Sequence, residues 1–336
     1  MKSSKSKPFD ISCVKHKPLR ERLAGLGETI PEEEPVSDND NLGKTMRAAP
    51  KRDAQPDFFV PSVYDIPVKD GIDLMDIAVF RLSKKQTRKG DIIRYELPGT
   101  IIEVAGGAHG MATIYDYDIV LMAISYLANA IKIYRQGRGP KPGKTFRPHS
   151  TEVFKFCRTG AGGKDYERLS PALDRLQGTF IKIDSLSDDR KNRRTGYFPL
   201  IAGAKIVSRT NSGRIGTMEI VIPDWIYDGV ISHENPEVLT VNADYFLLKK
   251  GLAKFLYRFS RKTAGETQSE YGFDKVYARS GSTREFKKFA FELRGIISAN
   301  DLPDYDLSEE KGKKGPKLVI RSRKYVARLK DERAGP

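Results

Sequence analysis

The chain is poor in the side chains that build cross-linked or metal-bound proteins. Its 336 residues include two cysteines, Cys13 and Cys157, and four histidines, His16, His109, His149 and His233, each standing alone. Two distant cysteines make neither a disulfide framework nor a thiolate cluster, so no metal and no cofactor is expected. Cys157, on the apolar side of a short helical run, reads as a buried thiol. Also missing is any uncharged apolar run near the roughly 18 residues that a membrane span needs. The Lys-rich start lacks the apolar core of a signal peptide. Both absences point to a chain of the reducing cytoplasm with no membrane partner.

Apolar periodicity is missing from the first part of the chain. Lysines alternate with Ser and Pro, then an acidic run (GETIPEEEPVSDND) gives way to a basic one, Lys44 to Arg52. So little apolar surface cannot offset the entropy of ordering. Residues 1–57 therefore read as a disordered tail, dispensable for any DNA binding, with LRERLAGL as a helix-prone spot within it.

Positive charge is abundant. Lys and Arg number 59 against 44 Asp and Glu, a net charge of +15 with a pI near 9.6. Such a balance favours polyanionic partners, nucleic acid first.

Order is expected from Phe58. DIAVFRLS (Asp76 to Ser83), DIIRYELPG and TIIEVAGG read as strands, with a turn at Pro98-Gly99 and a basic loop, KKQTRKG, beside them. A long helix starts between Tyr115 and Asp118, where acidic residues suit the positive helix end. Next, STEVFKFCR is a short amphipathic run, Thr159 to Gly163 a Gly-rich break, and KDYERLSPALDRLQ a second amphipathic run. Tyr166, Leu169, Leu173 and Leu176 share one face of that second helix, and Lys164, Arg168 and Arg175 point elsewhere. FIKID, GYFPLIAGAKIVSR and GTMEIVIPDWI then read as strands. Helix, turn, helix and strand is the order of a helix-turn-helix closed by a wing, here with SDDRKNRRTG as the wing tip.

The pattern recurs. DKVYARSGSTREFKKFAFELRGIIS places Phe286, Phe289, Leu293 and Ile296 at the same spacing, and Tyr245 to Phe259 stands for the long first helix. Three helices repeated in the same order indicate an internal duplication. DYDLSEEKGKKGPKLVIRSR closes the second unit as a hairpin, and Lys311 to Lys330 holds nine basic residues and no acidic one. The expected fold is α+β: two tandem winged-helix domains, residues 58–235 and 236–330, between the N-terminal tail and a short tail at 331–336.

In extended strings the chain resembles the bacterial plasmid replication initiator protein A family. YELPGTIIEVAGG, YDYDIVLMAISYL, STEVFKFCRTG and YERLSPALDRLQGTFI carry the likeness, continued by TMEIVIPDWIYDGV, LTVNADYFLLKKGLAKFLYRFSRK and STREFKKFAFELR. It spans roughly residues 58 to 328. The resemblance implies a non-enzymatic initiator that binds repeated sequences in a plasmid origin. It also implies recruitment of the host replication initiator and replicative helicase, and a homodimer that represses its own promoter.

The residues themselves support duplex binding without covalent chemistry, each second helix entering a major groove. In the first unit the candidate contacts are Lys164, Asp165, Arg168 and Arg175, with Arg190, Lys191, Arg193 and Arg194 from its wing. In the second they are Arg279, Ser282, Thr283, Arg284, Lys287 and Lys288. Lys311, Lys313, Lys314, Lys317, Arg321 and Arg323 of the closing hairpin would add a salt-sensitive clamp.

Enzymatic readings fare worse. GRGPKPGKT fails as a phosphate-binding loop because Arg138 stands where its first glycine belongs. Rolling-circle nickases use a His-x-His metal site, and no such pair is present. The competing reading is a winged-helix transcriptional regulator. Direct repeats near the coding region would favour the initiator, and a lone promoter palindrome the regulator.

Overall fold

Alternation in IIRYEL and TIIEVA puts Ile93, Tyr95, Ile102 and Val104 on one buried face. These runs follow a short strand β1 (Phe58–Pro61) and form β2 (Ile92–Leu97) and β3 (Thr100–Ala105), joined by a turn through Gly99. The computed structural model describes residues 45–49, 58–61, 77–84, 88–97, 99–186, 193–231, 238–313 and 315–333.

Helix α1 (Tyr117–Arg135) buries Val120, Ile124, Leu127 and Ile131 along one stripe. A short strand β4 (Thr145–Phe146) leads to α2 (Ser150–Phe156) and α3 (Gly163–Gly178). His149 caps α2, taking the Thr151 amide on its ring Nδ1 at 3.3 Å, and Glu152 takes the His149 amide at 2.7 Å. Strands β5 (Phe180–Leu186) and β6 (Arg193–Pro199) then complete an antiparallel sheet in the order β2-β3-β5-β6. β7 (Gly203–Ile206) and β8 (Met218–Val221) pair with β4 in the order β4-β8-β7. The DWI stretch, expected as strand, begins helix α4 (Asp224–Ile231), since Pro223 cannot donate to a ladder but suits the entry to a helix. β9 (Val238–Val241) returns to pair antiparallel with β1.

The second half runs α5 (Gly251–Thr263), β10 (Gln268–Gly272), α6 (Phe273–Ser280), α7 (Phe286–Ala299), β11 (Tyr305–Gly312), β12 (Gly315–Ser322) and α8 (Arg323–Arg333). Its sheet has the order β10-β12-β11. Long helix, short strand, two helices and hairpin thus occur twice, as α1-β4-α2-α3-β5-β6 and as α5-β10-α6-α7-β11-β12. Gly43–Pro336 form one compact unit with a continuous core.

Four further expectations are corrected. Residues 77–84 are no strand; Ile77 to Phe80 are buried, but their backbone groups bond the end of α6 and a β2 side chain rather than a strand ladder. The Ala78 amide donates to the Arg279 carbonyl at 2.9 Å, and Tyr95 Oη donates to the Ala78 carbonyl at 2.6 Å. The expected helix from Tyr245 is broken: a 3-10 turn, Ala243–Leu247, precedes α5, and Leu248 and Lys250 are extended. The cause is competition for backbone groups, because Thr45 and Arg47 bond there instead.

That contact is the third correction. Within the expected tail, Thr45 is buried; its amide donates to Asp301 at 2.7 Å, and its hydroxyl also bonds that carboxylate. The Lys249 amide donates to the Thr45 carbonyl at 2.8 Å and the Arg47 amide to the Leu247 carbonyl at 2.8 Å. Arg47 Nη2 reaches the Cys157 and Phe246 carbonyls at 3.3 and 3.1 Å. The strap 45–49 therefore ties α2, the 3-10 turn and the end of α7 together. LRERLAGL, Cys13, His16 and His233 lie outside the described residues. Fourth, residues 331–333 of the expected C-terminal tail instead continue α8.

Candidate nucleic-acid interface

Helix α6 ends at Gly281, whose φ of 59° is left-handed, and a Cβ there would run into the Tyr95 hydroxyl. Glycine alone meets both demands, so the turn can lie tight against β2. Beyond it the Ser282 amide donates to Ser280 Oγ at 3.2 Å and the Arg284 amide to Ser282 Oγ at 3.3 Å. Tyr277 Oη donates to the Arg284 carbonyl at 2.6 Å. Ser282, Thr283 and Arg284 therefore sit in the turn that aims α7, not on its outer face as the spacing suggested. Thr283 and Arg284 are exposed and Ser282 is half-buried.

Helix α7 buries Phe289, Leu293 and Ile296 and exposes Lys287, Lys288 and Phe291. Phe286, expected in the core stripe, is largely exposed and packs edge-on against Tyr277 with centroids 5.5 Å apart. Arg284 meets Glu292 at 3.0 Å and Lys288 meets Glu285 at 3.5 Å. These surface pairs are weak and exchange readily for an anion.

The β11–β12 hairpin stands beside α7 because Arg294 on the helix forks onto Glu309 of β11, with N–O distances of 2.9, 2.9 and 3.2 Å. Lys311 and Lys313 are exposed at its tip, and Lys314 lies outside the described residues. Three other hairpin candidates have partners within the fold. Lys317 reaches Glu270 at 3.1 Å, Arg321 reaches Ser308 and Glu310 at 3.1 and 3.0 Å, and Arg323 reaches Asp306 at 3.1 Å. Arg279 is half-buried, its guanidinium 5.4 Å from the Tyr271 ring.

In the first unit Lys164 and Arg168 are exposed, the latter 3.7 Å from Asp165. Asp165 is engaged as a cap, accepting the Gly162 amide at 3.1 Å. Arg175 does not point outward: 19% of its side chain is exposed, and it grips Asp116 through Nε and Nη2, each at 2.8 Å. Asp116 precedes α1, so this pair locks α3 onto the start of α1. With Glu167 and Asp174 also exposed, the outer face of α3 is mixed in charge, not the basic front expected. Arg190 and Lys191 lie outside the described residues. Arg193 and Arg194 open β6, opposite Leu186 and Ser185.

Sequence reasoning missed the seam between the two halves. One cleft of about 350 Å³ is lined by Arg81, Lys84, Arg88, Lys250 and Arg284; another of about 690 Å³ shares Arg81 and Lys84 and adds Arg168 and Lys249. Burial first, then Arg168 and Lys254, lower the Lys84 ammonium below its ordinary pKa. Asp116, Asp118 and Asp165 also line the larger cleft and Glu292 the smaller, so the seam is mixed in charge with cations in excess. Lys84 and Arg88 of one basic run and Lys249-Lys250 of another are visible in the sequence, but nothing in their spacing says that they line shared clefts.

Other chemistry is thinly provided. Burial pushes the Cys157 thiol well up, which makes it a poor nucleophile. Among the described residues no three His, Cys, Asp or Glu side chains cluster as metal ligands, and no helix is long and apolar enough to cross a membrane.

Comparison with known proteins follows the same line. Residues 69–307 match the family replication initiator protein A. A protein described as "Putative replication protein" from Wigglesworthia glossinidia brevipalpis is 30% identical over 254 residues, covering 75% of this chain and 88% of that relative. The fold is similar to a crystal structure of domains 2 and 3 of RctB, with a TM-score of 0.51 at 13% identity, covering 75% of this chain and 99% of that one.

Proposed function

Because the chain belongs to the replication initiator protein A family, we propose that it starts plasmid replication by binding repeated duplex sequences in an origin. On this reading each half, residues 58–235 and 236–330, is a winged-helix domain that lays α3 or α7 in a major groove. The protein then acts without covalent chemistry or cofactor in the bacterial cytoplasm. It recruits the host initiator and replicative helicase, and as a homodimer it represses its own promoter.

One observation carries the reading. The α6-turn-α7 unit exposes Arg284, Lys287 and Lys288, and the Arg294–Glu309 fork holds against the same helix a β11–β12 hairpin whose tip exposes Lys311 and Lys313. A helix inserted in the groove with a basic hairpin along the flanking backbone is how such a shape meets a duplex. The seam cations Lys84, Lys249 and Lys250 lie between the two reading helices. They would take the phosphates bridging two sites about 10 bp apart.

Footprinting of the full chain on its flanking DNA at two salt concentrations tests this. Protected direct repeats, each spanning two successive major grooves, are the expected result. Protection of one promoter palindrome alone would instead indicate a transcriptional regulator. Binding without sequence preference would remove α3 and α7 from the reading role.

A further inference from the structure

Two residues on the outer face of α7 have no explanation inside the fold. Phe291 is 69% exposed. Gly295, one turn on, has nothing within 4 Å of where a Cβ would stand, so packing does not require glycine there. Both are unfavourable choices for a solvated helix, since an exposed phenyl ring gains nothing in water and glycine weakens a helix relative to alanine. Helical spacing places Lys287, Lys288 and Arg294 around Phe291 and Gly295 beside it. The contour is a ring standing next to bare backbone, with Lys287 beside it and Lys288 and Arg294 in exposed pairs with Glu285 and Glu309. It fits an anionic partner that comes close to the helix and offers an apolar spot.

Resting on the duplex-binding reading above, we propose that Phe291 determines specificity by packing on the 5-methyl group of a thymine in the major groove. A phenyl side chain has no hydrogen-bonding group. The edges of guanine, cytosine and adenine in that groove offer donors and acceptors only, whereas thymine alone presents a methyl group. Gly295 lets the neighbouring groove wall approach the helix backbone closely enough for the contact. Lys287 and Lys288 hold the phosphates on either side.

The test uses the full-length protein and a pool of duplexes with a randomised core. Sequences selected by the wild type are resynthesised with deoxyuridine replacing each thymidine in turn, which removes only the methyl group. At one position the wild type should bind about fourfold more weakly, the transfer free energy of a single methyl. Phe291→Ala should bind the thymidine and deoxyuridine duplexes equally there and keep its other preferences, with an unchanged melting temperature. Gly295→Gln should melt at or above the wild-type temperature and bind the selected duplex at least tenfold more weakly. If the wild type is indifferent to deoxyuridine at every position, or Phe291→Ala discriminates as the wild type does, the proposal is wrong. Unaltered affinity in Gly295→Gln would also overturn it and leave this face to a protein partner. A wild type that selects no sequence at all would overturn the duplex reading itself, a distinct result.

Discussion

Lys254 on α5 and Asp118 on α1 form an ion pair that almost no water reaches; the lysine side chain is 2% exposed. Its ammonium also lies 4.4 Å from the Tyr245 ring centroid and 5.2 Å from that of Tyr115. Burial raises the Asp118 carboxyl above its ordinary pKa in spite of the lysine beside it, so desolvation outweighs the attraction. A pair in that condition contributes little when present and costs much when halved. Lys254→Met should therefore lose about 3–5 kcal/mol, because it strands a carboxylate in the core. A raised carboxyl pKa favours the folded state at low pH, so the loss should grow as pH rises through that pKa and shrink on acidification. The double variant Asp118→Leu/Lys254→Met should return to within about 1 kcal/mol of wild type, the adjoining cleft giving room for the leucine. Urea denaturation of all four proteins of the cycle gives the coupling energy directly. A single variant as stable as wild type, or a double variant as unstable as the single, would refute the reasoning.

Other outcomes follow from contacts already described. A chain starting at Asp57 should lose about 2–4 kcal/mol of stability with the Thr45–Asp301 and Arg47 bonds, while one starting at Gly43 should lose none; equal urea midpoints would count against the strap. Arg175→Met should cost about 2–3 kcal/mol and leave the salt dependence of DNA binding unchanged, whereas Arg168→Ala should lower the salt slope by about one at constant stability. Replacing Lys311 and Lys313 together by alanine should lower that slope by about two in binding titrations. Burial lowers the Lys262 ammonium to about 8, so the unfolded chain binds the extra proton above that pH. This group should make stability rise between about pH 8 and 10, and Lys262→Met should flatten the rise in a pH series of melts.

The sequence made local order readable and long-range partnership largely opaque. The stripes Leu169, Leu173, Leu176 and Phe289, Leu293, Ile296 are buried, as a 3.6-residue period demands. The strands around Ile93 and Ile102 are equally plain, because alternation is a local signal. Arg175 misled because a cation off the apolar stripe looks solvated until its acceptor, Asp116, is located 59 positions away. Residues 77–80 misled because burial on a loop and burial in a sheet produce the same apolar run. Thr45 was hidden since polar residues in a charged stretch carry no period, and its docking depends on one carboxylate far along the chain. The seam of Lys84, Lys249 and Lys250 is a product of tertiary packing, which charge runs alone cannot foretell.

The strap also imposes an order of events during synthesis. Thr45 leaves the ribosome early, yet its acceptor Asp301 lies 256 positions later. At the ordinary elongation rate of about 5–20 residues per second, that acceptor emerges some tens of seconds afterwards. The Thr45–Asp301 bond therefore cannot belong to any nucleus that the first half forms by itself, whereas Arg47 can reach the Cys157 carbonyl earlier. The bond to Asp301 closes only after α7 has ended, and until then the first half folds without it.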